Sequence, residues 1–191
     1  MPSKSKRLFV GLPLAEQAVI DSMGKIVNEL NSFKQDLKIV KKENYHITLK
    51  FLRSVKEETA VKLADSFKKI VPGTGPVAFQ LKGLGSFPGS SGSSVIWAGI
   101  ECDIKPLLEL QKLVEYWSAS FGFDREKRRF TPHFTLARVK NYSIPDAGLK
   151  SLIAENKETL FGEALFRECH LYESFLSESG PRYEIISSII L

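Results

Sequence analysis

Cysteine is scarce in this chain of 191 residues, which contains only Cys102 and Cys169. Two thiols cannot build a disulfide framework, and neither belongs to a C-x-x-C pair of the kind that binds zinc or carries out redox chemistry. Long apolar runs are missing as well, because the longest, VIWAGI and IISSIIL, are strand-length and fall far short of the roughly 18 residues of a membrane span. We therefore expect a cytoplasmic protein that is neither secreted nor inserted in a membrane.

The chain also lacks the usual signatures of nucleotide and hydrolase sites: a P-loop, a Gly-rich dinucleotide fingerprint and a G-x-S-x-G elbow. Metal catalysis would need clustered carboxylates or several His and Cys ligands, and no such spacing occurs. We therefore expect no metal and no other cofactor. The 27 Lys and Arg residues exceed the 22 Asp and Glu residues by only a little, and the net charge of +5 mildly favours polyanionic partners.

Hydrophobic residues make up 43% of the chain and recur with the periods of helices and strands, which indicates an ordered globular protein. Because strands and helices alternate without regular βαβ units, we expect an α+β fold. We expect two similar lobes, each a mainly antiparallel sheet with outer helices, within one domain spanning residues 1–191. The pattern predicts strands at about 7–12, 37–40, 44–52, 77–82, 94–101, 131–139, 164–174 and 182–190, helices at about 19–33, 56–70, 104–121 and 146–159, a mobile loop at 85–94 and a turn at 179–181.

Histidine occurs only three times, and two of the three share a pattern. His46 and His133 are each followed two positions later by a threonine, Thr48 and Thr135, within segments that alternate as strands do. Alternation places each histidine on the same face as its threonine. A single H-x-T is typical of an ordinary strand histidine, but the repetition of the pattern indicates a function. His170 has no such threonine, and we expect it to be a structural or surface residue.

Two imidazoles facing each other across a cleft could catalyse displacement at phosphorus. Each has an unperturbed pKa near 6.5, so at neutral pH one can accept a proton while the other donates one. The threonine hydroxyls could donate hydrogen bonds to the non-bridging phosphate oxygens. The residues alone thus predict a phosphate ester as substrate and leave open what is attached to it.

The H-x-T motifs and their flanks resemble the two-histidine (2H) phosphoesterase superfamily, and within it the LigT-like RNA 2′,3′-cyclic phosphodiesterases, also called 2′-5′ RNA ligases. The similarity spans nearly the whole chain. It implies a bilobal α+β fold with one H-x-T strand from each lobe lining a central cleft. The segments that carry it are RLFVGLPL at the start, NYHITLKFL at 44–52, GLGSFP at 83–88, VIWAGI at 95–100, RRFTPHFTLARVK at 128–140 and LYESFLSESGPRYEII at 171–186.

The resemblance implies metal-independent hydrolysis of 2′,3′-cyclic phosphate ends to 2′-phosphates, with reversible 2′-5′ ligation as a side activity. His46 would be the general acid on the 3′ oxygen, His133 the general base on water, and Thr48 and Thr135 would hold the phosphate. Arg138, which matches the arginine of the family's second motif, would add a cationic donor. Strict alternation, however, places Arg138 on the face opposite His133, so it reaches the phosphate only if the strand bulges or ends there.

Several further residues have two readings. Lys50 shares the predicted face of His46, and we expect it at the rim of the cleft. Arg128, Arg129 and Phe130 could offer charge and a stacking ring to an RNA end, or they could form an ordinary solvated charge run. Phe9 could stack on a base, although a phenylalanine in an apolar strand usually belongs to the core.

The expected partner is RNA with 2′,3′-cyclic phosphate ends, or a cyclic nucleotide, and we expect a monomer. One alternative is a phosphodiesterase that acts on 2′-5′ linked oligonucleotides or on another small cyclic phosphate. Another is an RNA-end binding module that has kept the cleft but not turnover. Both histidines and both threonines are present, which favours an enzyme.

Overall fold

The structure is a computed structural model that describes residues 5–88, 94–140, 147–177 and 180–191. Nine strands and five helices follow one another along these ranges, with a short 3-10 turn before the third strand. They are β1 (Ser5–Pro13), α1 (Gln17–Ser22), α2 (Gly24–Asn31), β2 (Leu37–Ile39), the 3-10 turn (Lys42–Asn44), β3 (His46–Lys56), α3 (Glu57–Phe67), β4 (Val77–Pro88), β5 (Ser94–Glu101), α4 (Ile104–Ala119), β6 (His133–Val139), α5 (Ala147–Glu155), β7 (Leu160–Phe166), β8 (Glu168–Ser177) and β9 (Gly180–Ile190).

The strands form two sheets whose pairings are all antiparallel. The first sheet has the order β3-β1-β8-β9, and the second has the order β2-β6-β5-β4-β7. The strands that carry the H-x-T motifs are β3 in the first sheet and β6 in the second. Starting from these strands, the order β3-β1-β8-β9 of the first sheet corresponds to β6-β5-β4-β7 of the second, which has β2 as an additional edge strand beside β6. The expected α+β fold with two antiparallel sheets is confirmed, and each sheet contributes one motif.

The helices do not stay with the sheet that is nearest in sequence. α1 and α2 precede β3, yet they pack against β7 and β2 of the second sheet. α3 packs against β1, β3 and β9 of the first sheet, and α4, which follows a strand of the second sheet, packs against β3. The two lobes therefore exchange elements, and neither is built from one contiguous half of the chain.

The alternation of β1 shows how the sequence divides the first sheet into two faces. Leu8, Val10 and Leu12 are buried in the main hydrophobic core. Phe9 and Gly11 therefore point to the opposite face. That face is the one that carries the motif residues of β3, since Gly11 lies directly opposite Thr48.

Two predicted elements are divided in the structure. The helix expected at 19–33 is interrupted at Met23, directly before Gly24, a residue that costs about 1 kcal/mol relative to alanine inside a helix. The strand expected at 164–174 is two strands separated at Arg167, and they belong to different sheets. The charged residues Arg167 and Glu168 interrupt the apolar pattern at that boundary, but the pattern does not tell which sheet each segment joins.

The expected loop and turn are only partly covered by the structure. Residues 85–88 of the loop expected at 85–94 belong to β4, so that part of the prediction is wrong, and 89–93 lie outside the described residues. Ser179 of the expected turn also lies outside them, whereas Gly180 and Pro181 begin β9. No helix within the described ranges is long and apolar enough to cross a membrane.

Candidate active site

A β-bulge follows the first H-x-T motif and changes which side chains reach the cleft. Gly11 lies opposite Thr48, but the next residue back, Val10, lies opposite Lys50, so β3 contains one extra residue. Directly paired residues share a face of the sheet, and Val10 is fully buried in the core. Lys50 therefore turns away from the cleft. Phe51, which lies opposite Phe9, turns toward it.

The second motif has a bulge at the same place. Trp97 of β5 lies opposite Thr135, and the residue before it lies opposite Ala137, so β6 also contains one extra residue. Arg138 is then opposite Val95 and returns to the face of Thr135 and His133. Strict alternation predicted the other face. The bulge is the condition under which Arg138 can reach a bound phosphate, and its role there remains a prediction.

The expectation that Lys50 lies at the rim of the cleft is wrong. Its ammonium is buried on the opposite side of the sheet, 2.8 Å from the Glu115 carboxylate of α4 and 2.5 Å from the backbone carbonyl of Asp124. The same carboxylate accepts a hydrogen bond from the backbone N–H of Glu126 at 3.2 Å. The ion pair thus fastens the segment that leads toward His133 to the outer side of β3.

Both catalytic candidates are held in the same way by the backbone. The Nδ1 atom of His46 lies 2.7 Å from the carbonyl oxygen of Asn44, and the Nδ1 atom of His133 lies 2.7 Å from the carbonyl oxygen of Thr131. A carbonyl can only accept, so Nδ1 carries a proton in each ring. The carbonyls thereby fix the tautomer and orientation of both rings, and Nε2 is the nitrogen that can exchange a proton with a ligand.

Three aromatic rings, those of Phe9, Tyr172 and Tyr183, form an aromatic wall beside His46. Its ring centroid lies 4.7 Å from that of Phe9 and 5.2 Å from that of Tyr183, which meets it edge-on, and Phe9 in turn stacks on Tyr172 at 4.8 Å. Burial among these rings lowers the pKa of His46 to about 4, against the opposing effect of the hydrogen bond to Asn44. The charges of Arg138 and His133 lower this pKa further.

The surroundings of His133 are similar. Phe87 meets its ring edge-on at 5.0 Å, and Trp97 lies at 6.2 Å. Burial lowers the pKa of His133, the hydrogen bond to Thr131 raises it, and the charge of Arg138 lowers it. The strands that carry the two motifs, β3 and β6, contact each other across the two sheets, and the charge of Arg138 lowers the pKa of both imidazoles.

The two threonines are half-buried on the cleft face, and the structure shows no hydrogen-bond partner for either hydroxyl among the described residues. Both hydroxyls are therefore available to a ligand. His170, by contrast, is buried, with Nδ1 2.8 Å from the Ser188 hydroxyl and Nε2 3.4 Å from the Glu168 carboxylate. Both of its ring nitrogens have partners in the protein, as befits a structural histidine.

Before the second motif lie three residues with different environments, Arg128, Arg129 and Phe130. The Arg128 guanidinium bonds the carboxylate of Glu126 at 3.2 and 3.0 Å. Arg129 is exposed, and Phe130 is partly buried against the hydrophobic core. The arginines remain candidates for contacts with RNA, whereas Phe130 has a packing role that limits how it could stack on a base.

Sequence reasoning missed the aromatic residues contributed by β8 and β9. Tyr172 and Tyr183 line a pocket of about 200 Å³ beside His46, together with Pro13 and Leu14. Alternation marks Tyr172 as a candidate for one face of its strand, but only the pairing of β8 with β1 brings it to the cleft. Within the described ranges, no group of three or more His, Cys, Asp or Glu side chains could hold a metal ion.

Comparisons with known proteins agree with this geometry. Residues 8–191 match the family model of the AKAP7 2'5' RNA ligase-like domain. The chain is 33% identical over 180 residues to the RNA 2′,3′-cyclic phosphodiesterase of Methanocaldococcus jannaschii, a match that covers 94% of this chain and 98% of that protein. In fold it is similar to TT0787 of Thermus thermophilus, with a TM-score of 0.73 and 25% identity over 97% of both chains. It is also similar in fold to E. coli LigT in its apo form, with a TM-score of 0.75 and 21% identity over 99% of both chains.

Proposed function

The chain belongs to the 2′-5′ RNA ligase-like family of the 2H phosphoesterases, and from that premise we propose that it hydrolyses 2′,3′-cyclic phosphate ends of RNA, or cyclic nucleotides, to 2′-phosphates. The observation that carries the proposal is the pair of imidazoles, each fixed through Nδ1 to a backbone carbonyl and both under the influence of Arg138. The name of the Methanocaldococcus jannaschii relative supports the choice of substrate. Both motifs come from one chain, so a monomer contains a complete site.

The phosphate is held by three side chains on the cleft face. The hydroxyls of Thr48 and Thr135 donate hydrogen bonds to its non-bridging oxygens, one from each lobe. Arg138 supplies a fixed positive charge and planar donors for the charge that builds up on these oxygens during attack. All charge stabilisation and proton transfer is thereby assigned to side chains, and the proposed reaction is independent of metal ions.

Proton transfer runs through the two Nε2 atoms. His133 takes a proton from water as the water oxygen forms a bond to phosphorus, and the bond from phosphorus to the 3′ oxygen breaks in line. His46 gives its Nε2 proton to that leaving oxygen, so the phosphate remains on the 2′ oxygen. Because the pKa of His46 is about 4 in the free protein, its protonation must accompany binding of the anionic substrate.

Alanine substitutions test the pairing. His46→Ala and His133→Ala should each reduce turnover of a cyclic-ended oligonucleotide by about a hundredfold or more, since general acid and base contributions are each typically 10² to 10⁴-fold. Thr48→Ala and Thr135→Ala should cost about ten- to a hundredfold. His170→Ala is the matched control and should retain near-normal turnover.

The double variant is the sharper test. Acid and base act in one displacement, so the two histidine replacements together should be scarcely worse than either alone, whereas independent roles would multiply. Near-normal turnover by folded His133→Ala would contradict the proposal.

The division between acid and base can be tested with the leaving group. A cyclic phosphate with sulfur in place of the 3′ oxygen has a leaving group that needs no protonation, so it should restore most of the turnover lost in His46→Ala. It should restore little in His133→Ala. The opposite pattern would exchange the two roles.

A substrate panel separates the proposal from its alternatives. The product of a cyclic-ended oligonucleotide should carry the phosphate on the 2′ position. Turnover restricted to 2′-5′ linked oligonucleotides would assign a different phosphodiester, and tight binding without turnover would identify a binding module.

A further inference from the structure

Asn44 is a buried polar residue beside His46, and its backbone and its side chain serve different partners. Its exposed fraction is 7%. Its backbone carbonyl accepts the hydrogen bond from Nδ1 of His46 at 2.7 Å, and its side-chain amide donates a hydrogen bond to the backbone carbonyl of Pro181 at 2.8 Å. A carbonyl only accepts hydrogen bonds, so the amide nitrogen is the atom that faces Pro181. One residue therefore joins His46 to the first residues of β9.

The bond to Pro181 crosses the cleft face of the first sheet. β3 and β9 are the two edge strands of that sheet, yet Asn44, which lies just before β3, reaches the start of β9. The same crossing brings the ring of Tyr183 to 5.2 Å from that of His46. Strand β9 thus contributes both a ring of the aromatic wall and an anchor for the residue whose carbonyl holds His46.

The segment that carries this carbonyl has little stability of its own. It is a single 3-10 turn of three residues, Lys42–Asn44, and such turns have poorer hydrogen-bond geometry than an α-helix. On the side of β1, the backbone N–H of Leu14 binds the carbonyl of Tyr45 at 3.0 Å. On the side of β9, the Asn44 amide makes the bond to Pro181. The position of the turn therefore depends on bonds to its neighbours, and one of them comes from a side chain.

The second motif fixes the equivalent carbonyl in another way. The carbonyl of Thr131 holds Nδ1 of His133, and Thr131 is followed by Pro132, whose ring restricts the backbone of the preceding residue to extended conformations. In the first motif Tyr45 occupies the place of that proline, so the backbone of Asn44 is under no such restriction. A side chain in the first motif thus does what a proline does in the second.

We propose that Asn44 is a positioning residue for His46: its amide, anchored on Pro181, holds the carbonyl that keeps a proton on Nδ1 and directs Nε2 into the cleft. This inference rests on the proposed function for the role of His46 in proton transfer. The hydrogen bond to Asn44 also raises the pKa of His46 against the effect of burial, so the same carbonyl favours the protonated ring that gives its proton to the leaving oxygen.

Asn44→Asp tests the role of the amide, because it removes the donor with little change in size and turns an acceptor toward the Pro181 carbonyl. It should lower kcat for a 2′,3′-cyclic nucleotide by about ten- to a hundredfold, a part of the 10² to 10⁴-fold that a general acid typically contributes. KM should stay nearly unchanged, because the threonines and Arg138 are untouched. In nitrogen-15 spectra the His46 ring should change from one neutral tautomer to a mixture of both, whereas His133 keeps its proton on Nδ1.

Asn156→Asp is the matched control. The amide of Asn156, which directly follows α5, also donates to a backbone carbonyl, that of Leu152, at 2.9 Å. This variant loses the same kind of bond at another place, so it should lower stability without changing kcat or either imidazole. Asn44→Ala removes the donor without adding an acceptor. It should act in the same direction as Asn44→Asp, and it replaces that variant in the test if the aspartate prevents folding.

Combination with His46→Ala separates positioning from a general loss of structure. A residue that acts through His46 has nothing to position once the imidazole is gone, so Asn44→Asp should cost no further kcat in the His46→Ala background. Multiplication of the two losses, or a folded Asn44→Asp with unchanged kcat or an unchanged His46 tautomer, would overturn the proposal. If the tautomer depends on Asn44 but the wild type hydrolyses no cyclic phosphate, the proposed function is refuted and the positioning of the imidazole by Asn44 stands.

Discussion

Acidification should destabilise the folded protein through His46. Its pKa is about 4 in the folded state because the ring is buried, against 6.5 for an ordinary histidine. Between these two values the unfolded chain binds a proton that the folded protein does not bind. The contribution of His46 to the free energy of unfolding should therefore be fully present above about pH 6.5 and be lost as the pH falls toward 4. The full shift is worth about 3 kcal/mol, of which about 2 kcal/mol should be lost between pH 7 and pH 5.

Urea unfolding of the wild type and of His46→Asn, each at pH 7 and pH 5 and followed by circular dichroism, measures this contribution. The other titrating groups are common to both proteins, so the loss of stability on acidification should be about 2 kcal/mol smaller in the variant. Nuclear magnetic resonance gives an independent readout, since the chain has only three imidazoles. His46 should remain neutral at pH 5. Equal losses of stability in both proteins, or a His46 resonance that titrates near pH 6.5, would refute the inference that burial among aromatic rings lowers the pKa of His46.

The remaining predictions concern metal ions, RNA contacts and the buried ion pair. Turnover of a 2′,3′-cyclic nucleotide should persist in EDTA, and complete loss that a divalent ion restores would exclude the proposed mechanism. Replacing Arg128 and Arg129 with alanine should weaken oligonucleotide binding and reduce its salt dependence, while turnover of a cyclic mononucleotide stays nearly unchanged. Equal loss of activity on both substrates would place these arginines in the fold or the catalytic centre. Lys50→Met should lower the free energy of unfolding by about 3 kcal/mol, because it leaves the Glu115 carboxylate buried without its partner. Adding Glu115→Leu should recover much of this loss, and urea titrations measure both effects. A loss below 1 kcal/mol in the single variant would show that the pair is accessible to water.

The α+β class and the placement of both H-x-T motifs on strands could be predicted from the sequence because both depend on local periodicity. The placement of Lys50, Phe51 and Arg138 could not, because it depends on bulges. A bulge is a property of the pairing between two strands, and neither strand alone contains a residue that requires it. The side chains directly after a bulge change face, so a reading by strict alternation is correct as far as the threonine and reversed for the residues that follow it. In β3 a second register shift, which skips Leu52, follows Phe51.

The exchange of elements between lobes was outside the reach of the sequence for a different reason. Apolar spacing tells which face of a helix or strand is buried, but not which sheet buries it. The boundary at Arg167 is an example, because the strands on either side have similar composition and belong to different sheets. Long-range pairing decides such cases.

The same exchange determines when the strands of the first sheet can pair during synthesis of the protein. β1 is made early, but one of its two neighbours is β8, and the ion pair between Lys6 and Glu173 that joins these strands links residues 167 positions apart. At about 5 to 20 residues per second, roughly 8 to 30 s separate the synthesis of the two. During that interval the open edge of β1 is a template for wrong partners. We expect the aromatic wall of His46 to be completed only when β8 and β9 have been made, so that the cleft stays incomplete until both strands have paired.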